Sequence, residues 1–194
     1  MREELDDRAL MQRYQDGHDH AAFAALFARN KDPLFRFLVR LSGDEQVAED
    51  VSQHTWMRII ELARAGAYDA RSPASFQTFL CTVARNRYVD EYQRRHAVTR
   101  TDPLDEELHE GPHDPQDDPL ESLLTQQSRQ HVRHALQSLR FEQREVLALW
   151  MHGIELKEVA RMTGATWDTI VARKKHALKR LAAVLRAGAL VGTT

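Results

Sequence analysis

Apolar residues in the first half of the chain recur at the spacing of one helix face. Phe23, Leu26 and Phe27 are followed by Leu34, Phe37, Leu38 and Leu41, then by Val51, Trp56, Ile59 and Ile60. Steps of three and four place such residues on one side of an α-helix, whereas a half-buried strand alternates every second residue. Breaks are predicted at Asp16-Gly17, at Lys31-Asp32-Pro33, at Ser42-Gly43-Asp44 and across Ala65 to Pro73. Pro33 suits the first turn of a new helix, where its missing N–H has no partner to lose. Four or five helices and no strand are expected between Asp6 and His96.

The pattern then lapses. Ala97 to Pro119 carries Pro103, Pro112, Pro115 and Pro119 among Asp102, Asp105, Glu106, Glu107, Glu110, Asp114, Asp117 and Asp118. So few apolar groups cannot offset the entropy of ordering the segment, which reads as a linker. Helical periodicity returns at Leu120 and runs to Leu190. The expected fold is all-α: two small helical domains, residues 1–96 and 120–194, joined by a flexible acidic linker over 97–119.

The last block carries a helix-turn-helix pattern. Leu156 to Thr163 forms a short amphipathic helix with Leu156, Val159, Ala160 and Met162 inward. Gly164 sits at the turn, where positive φ is cheap only for glycine. Thr166 caps the next helix, and Ile170 packs it back on the first. That second helix bears Arg173, Lys174, Lys175, His176, Lys179 and Arg180. Such cations neutralise phosphates, and residues near the start of such a helix meet base edges in the major groove. A solvated basic helix ending a bundle is the alternative.

Composition narrows the classes. Net charge is only −2, so nucleic-acid binding is signalled by where charge lies and not by its total. One cysteine, Cys81, permits no intramolecular disulfide and fits a reducing cytoplasm. Beside Leu80 and Thr82 it reads as a small buried hydrophobe. Met1 to Tyr14 lacks the apolar core of a signal peptide, and no run of about 18 apolar residues exists to insert in a membrane. Of the ten histidines, the close pairs are His18/His20, His109/His113 and His131/His134. Only the last has helical spacing, and it lacks a third ligand, so no metal site is expected. No phosphate loop or nucleophile elbow is present, so no catalytic residue, no cofactor and no enzymatic activity are expected. Trp56, Trp150 and Trp167 read as packing residues.

An ordered series of segments carries a family resemblance. It begins with Phe35-Arg36-Phe37-Leu38-Val39-Arg40-Leu41 and Ala48-Glu49-Asp50-Val51-Ser52-Gln53-His54-Thr55-Trp56. It continues through Ser75 to Asp90 and Arg94-Arg95, then Arg144-Glu145-Val146-Leu147, Gly153 and the helix-turn-helix. The series resembles the extracytoplasmic-function group of sigma-70-family RNA polymerase sigma factors, across nearly the whole chain except the linker. The resemblance implies a cytoplasmic initiation subunit with a domain for the promoter −10 element and another for the −35 element. Core polymerase is the implied partner, through its clamp coiled coil and its flap, and promoter DNA the second. An anti-sigma factor is a further implied partner.

Site expectations follow from the resemblance and from side-chain chemistry. Arg85, Asn86, Arg87, Tyr88, Asp90, Arg94 and Arg95 are expected at the −10 element, with Tyr68 in a loop to Ser75 that holds a flipped base. Cations hold backbone there, while rings and amides stack on and read unpaired bases. Phe79 stands where the family usually has tryptophan; Phe79 and Val83 read as core, and Tyr88 reads either as core or as a base-stacking ring. At the −35 element the expected residues are Thr166, Asp168, Thr169, Ala172, Arg173, Lys175, His176 and Lys179. Lys174 stands where leucine is common, and Leu178 where a basic residue is common. Glu49, Asp50, Gln53, His54 and Trp56 are expected to face polymerase. Val47 and His54 occupy positions where the family carries acids; either docking is weakened by the lost charge, or the exchange is tolerated with docking unchanged. Thr55 in that surface is a candidate phosphoacceptor for a Ser/Thr kinase that would restore charge.

Two other functions compete on the residues alone. A helix-turn-helix regulator binding duplex DNA without joining polymerase would need no strand-opening segment such as Arg85 to Arg95. A non-DNA adaptor would need no basic helix at Arg173 to Arg180.

Overall fold

The computed structural model describes residues 5–98 and 132–191, with side chains for 5–92 and 132–186. The chain divides into two compact units, residues 1–38 with 47–101, and 39–46 with 102–194. All regular structure among the described residues is helical. The acidic segment expected as a linker lies outside them.

Four helices form the first half: α1 (Asp7–Gly17), α2 (His20–Ser42), α3 (Glu45–Arg64) and α4 (Phe76–Val98). Side-chain caps define the first junction. Asp6 accepts from the Ala9 N–H at 2.7 Å, and Asp19 accepts from the Ala22 N–H at 3.0 Å to start α2. That second bond and the nearby Arg13 hold the Asp19 carboxyl below its usual pKa. Between them His18 takes the left-handed conformation at φ 51°. The core draws on every helix, with Met11, Leu26, Phe37, Leu38, Ile59, Phe76, Leu80 and Cys81 buried. Burial pushes the Cys81 thiol pKa far up, which leaves it protonated and inert.

One expected boundary is absent. Helix α2 runs unbroken through Pro33. An interior proline costs roughly 3 kcal/mol. Leu26, Leu34, Phe37, Leu38 and Leu41 are each 0% exposed on one continuous stripe spanning it. Each such side chain contributes roughly 1.5–3 kcal/mol by burial, so the stripe outweighs the proline.

In the second half residues 132–137 are helical. They are followed by α5 (Phe141–Met151), α6 (Leu156–Thr163) and α7 (Trp167–Val191). Leu136, Leu139, Leu147 and Ala177 pack as one cluster, with Leu181 against it. Val159 and Ile170, also fully buried, join α6 to α7 as the helix-turn-helix spacing requires. Leu156, Ala160 and Met162 are half-buried. Gly164 ends α6 at φ 68°, ψ 14°. The Thr166 hydroxyl oxygen accepts from the Thr169 N–H at 3.3 Å and pairs with the Thr169 hydroxyl at 2.8 Å.

A Cβ on Gly164 would meet nothing within 4 Å, so only backbone strain opposes a side chain there. Gly164→Ala is therefore expected to destabilise this unit by roughly 1–2 kcal/mol, and Gly164→Asn by less. Denaturant melts of the variants check this; equal stability of Ala and Gly would remove the left-handed turn from the account.

Candidate nucleic-acid interface

Helix α7 separates core from solvent along its length. Ile170 and Ala177 face inward at 0% exposure. Thr166, Asp168, Ala172, Lys175, His176 and Lys179 are exposed, and Thr169 and Arg173 half-exposed, so all eight residues expected at the −35 element reach solvent. The cations on this face lie along one helix, the arrangement that follows a phosphate backbone.

Two of the three tryptophans are not the packing residues the sequence predicts. Trp150 is 39% exposed and Trp167 48%. Trp167 is the first residue of α7, just after its Thr166 cap. Both rings border an open cleft of about 340 Å³ with Ile154, Leu156 and Lys157. The Lys174 ammonium sits 3.5 Å from the centroid of the Trp150 ring. Such cation–π contacts contribute about 0.5–1 kcal/mol where exposed and fix the direction of the cation. Lys174, standing where leucine is common in the family, is the sequence sign of this arrangement.

Helix α4 presents a polar ridge. Asn86 and Asp90 are exposed and Arg85 and Arg87 half-exposed. Arg85 Nη1 donates to Asn86 Oδ1 at 3.1 Å, and Arg87 lies 3.6 Å from Glu91. Arg94 and Arg95 continue the helix, their side chains outside the described set. Tyr88, expected on this face, is 5% exposed and stacks at a tilt on Tyr92, ring centroids 6.0 Å apart. Tyr68 is also interior, at 6% exposure, against Phe79 at 5.1 Å and Phe76 at 6.0 Å. Burial raises the Tyr68 phenol pKa, opposed in part by the charge of Arg8. Both rings therefore lie in the core of this fold and not on its surface.

The loop holding Tyr68 is tightly built. Gly66 at φ 66° and the bonds Gly66 N–H to Ala63 O and Ala67 N–H to Leu62 O, at 3.0 and 2.9 Å, end α3 as a Schellman motif. Asp69 accepts from the Arg71 N–H at 2.9 Å, which helps lower its carboxyl pKa. Ser75 starts α4 by accepting from the Thr78 N–H at 3.1 Å.

On α3, Glu49, Asp50, Gln53 and His54 form an exposed strip. The His54 ring nitrogen Nδ1 pairs with the Asp50 carbonyl at 2.7 Å. Met57, which the sequence reading did not single out, is 60% exposed in line with Glu49 and Gln53 at four-residue steps. Val47 is half-buried. Two expectations for this helix are corrected. Thr55 is 0% exposed, its hydroxyl donating to the Val51 carbonyl at 2.7 Å, so it offers a kinase no acceptor. Trp56 is buried at 6% exposure, edge-on to Phe27 at 5.0 Å, and so is a packing residue.

Residues 26–98 match the family model described as Sigma-70 region 2. That stretch contains most of α2 and all of α3 and α4, and so both the α3 strip and the α4 ridge. The class is thus that of sigma-70-type proteins. Curated relatives specify the group. The ECF RNA polymerase sigma factor RpoE of Cereibacter sphaeroides is 32% identical over 178 residues, 89% of this chain and 91% of that protein. The ECF RNA polymerase sigma factor BldN of Streptomyces coelicolor is 29% identical over 180 residues, covering 91% of this chain, which spans only 64% of that longer relative. The chain belongs to the extracytoplasmic-function RNA polymerase sigma factors, which serve promoter-directed transcription initiation.

Solved structures agree on the fold. The sigma factor RpoE of Bartonella quintana, in complex with the anti-sigma factor NepR, superposes with a TM-score of 0.65 at 23% identity, over 84% of this chain and 96% of that one. CnrH, in complex with the cytosolic domain of CnrY, gives 0.64 at 22% identity, over 93% and 97%.

Proposed function

We propose that this chain is a non-catalytic, cytoplasmic initiation subunit that joins core RNA polymerase and divides promoter recognition between its two halves. Residues 1–96 serve polymerase and the −10 element, 97–119 form the linker, and 120–194 read the −35 element. The α3 strip of Glu49, Asp50, Gln53 and His54, extended by Met57, faces the clamp coiled coil, and the second half meets the flap. Arg85, Asn86, Arg87, Asp90, Arg94 and Arg95 serve the −10 strand. The exposed face of α7 serves the −35 duplex. No helix among the described residues is long and apolar enough to cross a membrane, and the reading requires none.

The observation that carries this reading is the ridge of exposed Asn86 between half-exposed Arg85 and Arg87 inside the region-2 match, in a chain that also bears a helix-turn-helix. A regulator that only reads duplex has no use for the first. An anti-sigma partner is proposed from the solved relatives, since RpoE of Bartonella quintana is bound to one.

Asn86→Ala is expected to spare binding of −35 duplex and impair strand opening. Unstacking a base costs a few kcal/mol, so losing an amide that reads it is expected to lower open-complex formation roughly tenfold. Permanganate reactivity of −10 thymines with reconstituted holoenzyme tests both claims. Reactivity in the wild type supports strand opening, and normal reactivity in the variant removes Asn86 from the site. Limited proteolysis is expected to cut first between residues 97 and 119; a first cut within Phe35 to Ile60 would contradict the domain division.

A further inference from the structure

Helix α1 lies outside the residues that match the family model, 26–98. It nevertheless grips the loop between α3 and α4 at both ends. Gln15 Nε2 donates to the Tyr68 carbonyl at 3.1 Å, and Gln15 Oε1 accepts from the Tyr68 N–H at 3.0 Å. Arg8 Nη2 donates to the Ala74 carbonyl at 3.1 Å. A primary amide that both gives to and takes from the two peptide groups of one residue fixes that residue's orientation as well as its place. Between the two grips the loop closes on itself, Asp69 accepting from the Arg71 N–H and Ser72 Oγ from the Ala74 N–H at 3.3 Å. Asp69, Arg71 and Pro73 are left facing solvent.

These contacts shape the loop more than they hold the core. Gln15 and Arg8 are half-exposed, and the apolar packing of α1 runs through Leu10, Met11 and Tyr14 instead. Neither Gln15 nor Arg8 belongs to the faces assigned above to DNA or polymerase. With the Tyr68 ring sunk in the core, whatever the loop offers a base comes from its backbone and exposed residues, whose geometry depends on these grips.

We infer that Gln15 and Arg8 are positioning residues for −10 recognition, bracing both ends of the 67–75 loop in the shape that receives an unpaired base. The inference rests on the proposed reading of that loop as the base-holding element. Two measurements separate the brace from that reading. Hydrogen exchange on the full chain reads the brace directly. Gln15→Ala is expected to speed exchange of the Tyr68 amide roughly fivefold or more, with core amides of α2 and α3 unchanged. Gln15→Glu keeps the acceptor and is expected to keep most of that protection. Unchanged exchange at Tyr68 in Gln15→Ala overturns the brace.

The second measurement uses holoenzyme and a fork-junction DNA selected from a random library by the wild type. Its −10 strand is made abasic one position at a time. The wild type is expected to lose affinity at one position at least. In Gln15→Ala and Arg8→Ala that base dependence is expected to fall roughly tenfold, with core-polymerase affinity and −35 duplex binding unchanged. If the wild type depends on a base and both variants do so equally, the positioning role is wrong and the loop reading stands. If the wild type depends on no base, the loop reading fails and takes the inference with it. Should Gln15→Ala not fold, Arg8→Ala carries the same comparison.

Discussion

Replacing Arg173 and Lys175 together with alanine is expected to weaken binding to a −35 duplex about 10- to 100-fold at moderate salt. Both side chains reach solvent along α7: Lys175 is exposed on the side away from Ile170 and Ala177, and the half-exposed Arg173 flanks those buried residues. Each cation that neutralises a phosphate releases counterions, so the slope of log affinity against log salt is expected to shrink by about one per contact, near two for the pair. The affinity loss then diminishes as salt rises. A contact to a base edge would behave differently: the slope would hold while discrimination at one base pair relaxed. Arg173, earlier on the helix and less exposed, is the better candidate for base contact, and Lys175 for phosphate. Titrations of the two single variants and the double variant, at three salt concentrations, separate these contributions. Unchanged affinity and slope would place the DNA face elsewhere on the second half.

The second large effect concerns polymerase. Glu49→Lys with Asp50→Lys is expected to lower affinity for core polymerase about tenfold or more at low salt, by turning attraction to a basic surface into repulsion. Val47→Asp with His54→Glu is expected to act the opposite way, raising the association rate most, with the gain erased by salt. His54 is fully placed for this, being exposed beside Asp50. The half-buried Val47 is expected to contribute less. Thr55→Glu is not a route to the same end, because it would bury a carboxylate in the core and destabilise the first unit. Control of this face is therefore expected through a covering partner and not through phosphorylation of Thr55. Binding measured at low and high salt decides the matter; tight wild-type docking that neither pair of changes alters would make the missing acids a neutral substitution.

What the sequence made legible was local. The turn at Gly164 and the cap at Thr166 each depend on the conformational preference of one residue, and both stand in the structure. The basic face of α7 was legible because charge is expelled from a core whatever the fold. Misjudgements arose where facing depends on partners distant in sequence. Pro33 reads as a boundary until the stripe on both sides of it is packed against other helices. Thr55 and Trp56 follow directly on the exposed Gln53 and His54 along the chain, yet helix α3 turns about 100° per residue and carries them into the core. Tyr68 and Tyr88 have the chemistry to stack on bases, but their neighbours in space are Phe76, Phe79 and Tyr92. The contacts of Gln15 and Arg8, spanning 53 and 66 residues, have no sequence signal at all.

Run-off transcription with purified core polymerase asks whether this chain is an initiation subunit. Promoters selected from a random library by the reconstituted holoenzyme serve as templates. This chain alone is expected to restore specific initiation from them, and transcripts are expected to disappear when either the −10 or the −35 element is scrambled. Initiation that still requires another sigma factor, or no transcript above core polymerase alone, would contradict it.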